Sequence, residues 1–100
     1  MGIYRLTAPE TELLHQAASM AGDRLARLEN DTGVQVMETL LSHLETQPST
    51  VWLNAAQREV LGKMLMNIAY DLLREDEDDR ATIAETLAER LFDDEQGGTE

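Results

Sequence analysis

The sequence predicts an all-α protein in which two duplicated helical hairpins close on each other as a small four-helix bundle with pseudo-two-fold symmetry. Three observations lead there. Residues 6–44 align with 53–91 without a gap at an offset of 47, with 11 of the 39 pairs identical, where composition alone gives roughly 2–3. The matched apolar positions recur at the 3.6-residue period of a helix with one buried face. Each copy also opens on the sequence of a capping box, Thr7-Ala8-Pro9-Glu10 in the first and Asn54-Ala55-Ala56-Gln57 in the second.

In a capping box a short polar side chain accepts from a free backbone N–H, and Glu or Gln reaches back to the cap. Pro9 suits the first turn, where its missing N–H costs nothing. The first helix is therefore expected over about 8–28, burying Leu14, Ala17, Ala18, Ala21, Leu25 and Leu28. Its counterpart, about 55–74, buries Leu61, Met64, Leu65, Ile68 and Leu72. Polar runs at 29–33 and 75–79 read as the hairpin turns. Shorter helices follow, carrying Val36, Met37, Leu40, Leu41 and Leu44 in the first copy and Ile83, Ala84, Leu87, Leu91 and Phe92 in the second. Gln47-Pro48-Ser49-Thr50 reads as the linker, because Pro48 lacks an N–H and disfavours helix at Gln47. Ile3-Tyr4-Arg5-Leu6 and Val51-Trp52-Leu53 are read as extended lead-ins that staple onto the core, with short strands as the alternative. The whole is one domain: repeat one about 6–46, repeat two about 53–92, and a disordered acidic tail about 93–100.

Cysteine is absent, which excludes disulfides and thiolate metal sites and suits a reducing cytoplasm. No apolar run approaches the ~18 residues of a membrane span. The net charge of −12 is unevenly placed, residues 1–70 contributing −3 and residues 71–100 contributing −9. That field repels nucleic-acid backbones and anionic lipid, so neither is an expected direct partner.

Catalytic, cofactor and metal sites are not expected. Glu12-Leu13-Leu14-His15 has the Glu-x-x-His spacing of a di-metal bundle, but the second copy reads Glu59-Val60-Leu61-Gly62 and Glu12 falls opposite Leu14 on the helical wheel. An EF-hand loop begun at Asp76 fails at Arg80, Ala81 and Leu87. His15 aligns with Gly62 and His43 with Arg90, and no Gly-rich elbow presents a nucleophile.

Two surfaces remain. Asp71, Glu75, Asp76, Glu77, Asp78 and Asp79 form an acidic patch suited to a basic protein surface. On the third helix Met66, Tyr70 and Leu73 make a second apolar stripe away from the core face, where the first copy has Ser19, Asp23 and Ala26. Either neighbouring elements cover this stripe or it touches a partner or a second copy. The expected function is a non-enzymatic, cytoplasmic interaction protein that blocks a basic surface of a larger protein, such as a nucleic-acid-binding complex. The class analogy is with phage-encoded inhibitors of host defence, anti-CRISPR proteins among them, which would place it in host cytoplasm as a nucleic-acid mimic. The alternative is a homodimeric structural or regulatory subunit joined through the apolar stripe, its acid serving solubility.

Absence of a metal site has a direct check. A ligand at about 100 times its dissociation constant stabilises a fold by about 2.7 kcal/mol, so sub-millimolar magnesium, calcium or manganese should leave the melting temperature where chelator leaves it.

Overall fold

Two four-residue strands pair into an antiparallel ribbon that joins the two halves of the molecule. The computed structural model describes residues 2–47 and 49–97, with side chains followed to Phe92. Chain order is β1 (Gly2–Arg5), α1 (Ala8–Arg27), α2 (Asp31–Thr46), β2 (Thr50–Leu53), α3 (Ala55–Arg74) and α4 (Asp78–Gly97). The segments read from sequence as lead-ins are therefore strands. Gly2 pairs with Leu53, Ile3 with Trp52, Tyr4 with Val51 and Arg5 with Thr50. Alternation explains the gain: Tyr4, Val51 and Leu53 turn inward and are buried while Ile3, Arg5 and Trp52 stay exposed. The ladder continues past the strand ends, Leu6 N–H donating to Ser49 C=O at 2.8 Å.

Both capping boxes form. Thr7 N–H donates to Glu10 Oε1 at 2.8 Å and Glu10 N–H to Thr7 Oγ1 at 3.4 Å; Asn54 N–H donates to Gln57 Oε1 at 2.9 Å and Gln57 N–H to Asn54 Oδ1 at 2.8 Å. The α1 and α3 C-termini also match. Asn30 N–H donates to Leu25 C=O and Glu29 N–H to Ala26 C=O; forty-seven residues on, Glu77 N–H donates to Leu72 C=O and Asp76 N–H to Leu73 C=O. This 6→1 and 5→2 pattern is the Schellman motif, which requires a left-handed residue at its centre. Here Glu29 (φ 58°) and Asp76 (φ 61°) take that conformation without being glycine.

Helices α1 and α2 pack as one hairpin and α3 and α4 as another, with α1 against both α3 and α4. Large and small residues alternate across the contacts: Leu13, Leu14, Leu61, Leu65, Leu87 and Leu91 are fully buried, and so are Ala17, Ala18, Ala81, Ala84 and Ala88. The alanines bring helix axes close while the leucines fill the space between them. Every residue expected on the buried face of α3 is there. On α1 Leu25 is half-buried and packs against the core, and one expectation fails: Leu28, at the C-cap, is exposed. Leu28 lies past the last turn, so the helical period no longer governs where its side chain points. Leu13, near the other end of α1, is buried without having been expected there.

The turns are also shorter than expected, since α2 begins at Asp31 and α4 at Asp78. Asp78 and Asp79 therefore belong to the first turn of α4, where carboxylates complement the helix dipole. Pro48 lies outside the described residues, as do 98–100 of the expected tail. For the rest of that tail only the α4 backbone is described, helical as far as Gly97. No helix of the described chain is long and apolar enough to cross a membrane.

Removing the left-handed strain should stabilise the fold. We expect Glu29→Gly to raise the unfolding free energy by about 0.5–1 kcal/mol and Asp76→Gly by less, since Asp enters this region more readily than Glu. Urea unfolding of the two variants checks both sign and order.

Candidate functional site

The acidic patch sits at one tip of the molecule, where α3 turns into α4. Across residues 71–80 there are six carboxylates and two guanidiniums. Asp71, Glu75, Asp76, Glu77, Asp78 and Asp79 are all exposed. Arg74 lies 3.9 Å from Asp71 and Arg80 3.9 Å from Glu77, long contacts between exposed side chains that water and salt largely screen. The tip therefore keeps a strong negative field.

The apolar stripe runs along α3 into that tip. Tyr70 is 61% exposed and Leu73 44%, while Met66 is partly buried and packs on the core. Tyr70 and Leu73 stand on the last turns of α3, so the exposed apolar residues lie at the same end of the helix as Asp71, Arg74 and Glu75.

Of the residues weighed for chemistry, Glu12 is exposed and His15 stands 3.9 Å from Glu45 across the α1–α2 hairpin. Their counterparts 47 residues on are Glu59, Gly62 and Phe92. A Cβ on Gly62 would meet Phe92 Cζ at 2.7 Å. One half thus uses a ring seated over a glycine where the other uses a polar pair. Among the described residues no three His, Asp or Glu side chains gather as a metal-ligand set.

A further pair of matching positions behaves differently in the two halves. Arg90 of α4 donates through Nη1 to Glu10 Oε2 at 2.9 Å and through Nη2 to the Arg5 carbonyl at 3.3 Å, its guanidinium 5.9 Å from the centre of the Tyr4 ring. Glu10 is already held by the α1 cap, so the Arg90 guanidinium ties α4 to α1 through this carboxylate and to β1 through the Arg5 carbonyl. The matching positions are His43 and Gln57. His43 Nε2 lies 3.2 Å from the Thr50 carbonyl and Gln57 serves the α3 cap, with no bond between them among the described residues. Among the described residues no ion pair links α2 to α3. A cleft of about 510 Å³ stands there, floored by Val36 and Leu40 and flanked by Trp52, which is 47% exposed. The sequence reading missed this cleft, although the alignment already set Glu10 against Gln57 and Arg90 against His43.

A second groove of about 530 Å³ lies between the end of α1 and α3, where Leu25, Leu28, Val60 and Met66 are accompanied by Arg24 and Lys63. Lys63 is bridged to Glu59 at 3.1 Å on its own helix.

No protein family, curated protein or solved structure matches this chain.

The Arg90–Glu10 closure can be isolated from capping, because Gln serves as well as Glu in a capping box. Glu10→Gln should lower stability by about 0.5–1.5 kcal/mol, shifting the melting temperature of a domain this size by roughly 2–10 °C. Glu59→Gln, which loses only an exposed pair, should stay within about 0.5 kcal/mol of the parent. Thermal melts of both variants make the comparison.

Proposed function

We propose that this chain is a non-enzymatic interaction module that sets its α3–α4 tip into a basic groove of a larger cytoplasmic protein and acts by occupying it. The observation that supports this reading is the clustering at one end of α3: Tyr70 and Leu73 are exposed on its last turns, and the six carboxylates of residues 71–79 are exposed at the same end. Clustered carboxylates raise the encounter rate with a basic surface. Tyr and Leu, desolvated on docking, slow the departure. A groove built for a phosphate backbone has the matching charge, so a nucleic-acid-binding complex is the partner class, and an inhibitor of the kind phages direct at host defence is the biological setting.

The same reading takes the two halves as duplicated copies related by a pseudo-two-fold axis. Several observations support it besides the sequence offset. The ribbon register places Tyr4 opposite Val51, its own counterpart 47 residues on, and pairs Ile3–Trp52 and Arg5–Thr50 are images of each other under that shift. The Schellman turns and capping boxes recur at the same spacing. Duplication followed by divergence accounts for an acidic, apolar tip on α3 where α1 carries Arg24, Arg27 and an exposed Leu28.

The exposure of Tyr70 and Leu73 also favours a second reading, a homodimer through the apolar stripe. Sedimentation separates the two: a dimer broken by Tyr70→Asp and indifferent to Asp71→Asn, Glu75→Gln and Asp76→Asn would replace the first reading. Under the first reading the same three neutral substitutions slow association with the captured partner about tenfold and leave its dissociation rate nearly unchanged. The affinity also falls steeply from low to moderate salt. A partner affinity insensitive to both salt and these substitutions overturns the acid-led mechanism.

A further inference from the structure

The cleft between α2 and the β2–α3 junction has features that its closed counterpart lacks. None of its lining residues is Asp, Glu, Lys or Arg, in a chain of 28% charged residues. The loss is concentrated: where the α1–α4 side has Arg5, Glu10, Asp79 and Arg90, the cleft has Trp52, Gln57, Thr32 and His43. Every charged position of the closed side has a neutral residue here, and one of them is the only tryptophan of the chain.

On the α3 side of the rim the free hydrogen-bonding capacity is one-sided. Asn54 and Gln57 both commit their amide oxygens to the α3 capping box, and among the described residues neither NH₂ group has a protein acceptor. What these side chains offer an occupant is therefore N–H. His43 faces the Thr50 carbonyl through Nε2, which makes that nitrogen a donor to the strand and leaves Nδ1 toward other partners. Thr39 gives its hydroxyl proton to the Gln35 carbonyl at 2.9 Å. An uncharged cleft with an exposed indole, an apolar floor and two free amide donors beside that indole complements a ligand with flat apolar rings and carbonyl acceptors next to them.

That description fits a polyproline II segment. Its carbonyls are free of internal hydrogen bonds, its prolines carry no N–H, and its rings stack on tryptophan. We propose that the Trp52 cleft binds an uncharged proline-rich segment of a partner protein, with Trp52 as the stacking platform and the Asn54 and Gln57 amides as donors to its carbonyls. No charged side chain lines the cleft, so an acidic or basic segment finds no direct ion-pair partner among the lining residues. The site lies apart from the acidic tip and does not depend on it.

Trp52 makes the test direct, because its intrinsic fluorescence is the only indole signal. Titration with decaproline should give a saturable change with a dissociation constant of about 0.1 mM, little altered by salt. Gln57→Glu and Asn54→Asp each preserve the cap, since carboxylates accept as amides do, yet remove the donor and add a charge. Each should weaken decaproline binding about tenfold while the melting temperature is maintained. Trp52→Phe, followed by amide chemical shifts in place of fluorescence, should weaken it less than Trp52→Ala. No saturable change with decaproline overturns the proposal, as does binding that survives Gln57→Glu and Asn54→Asp unchanged. A response to maltohexaose or to an alanine-rich helical peptide in place of decaproline overturns the assigned ligand class.

Discussion

The antiparallel pairing of β1 with β2 is the constraint on which the rest of the molecule depends. Four residues at one end of the chain meet four that lie between the hairpins, and this contact fixes where α1 and α3 start relative to each other. Tyr4, Leu6, Val51 and Leu53 turn from this ribbon into the core. Each cap follows its strand by only a residue or two, so the N-termini of α1 and α3 are set by the same ladder. A two-stranded ribbon is marginal by itself in water. Here the helices supply its buried face, and the ribbon in turn spares them an open end.

Beyond that shared start the two halves differ in how their charged side chains are placed. On one side Glu10 serves both its own cap and Arg90, so α4 is drawn against β1 and α1. On the other, neutral side chains occupy the same positions and α2 stays off α3, packing on α1 and against β2 instead. An ion pair of this kind gives little net stability once desolvation is counted, but it specifies a geometry. Its presence or absence decides which of two similar interfaces is shut.

Much of this was legible in the residues. Helix limits followed from period and capping chemistry, both short-range, and α3 starts and stops where Asn54 and Arg74 said it would. The acidic turn was visible as composition, and the outward positions of Tyr70 and Leu73 followed from angles on a wheel. The ribbon was not visible, because strands of four residues show one alternation at most and their pairing links segments about fifty residues apart. Leu28 was misplaced because a helical period was carried past the helix. The Trp52 cleft escaped notice because an opening is a property of how helices sit, not of any one of them. Only comparing Glu10 with Gln57 and Arg90 with His43 would have hinted at it.

Because β1 precedes its hydrogen-bonding partner by the whole length of α1 and α2, it leaves the ribosome before β2 does. During that interval Tyr4 and Leu6 have no ladder to hold them, and the α1–α2 hairpin has an unfinished edge. Emergence of Thr50–Leu53 closes it. The first half is thus completed by the opening residues of the second, which ties maturation of the nascent chain to a single late pairing event.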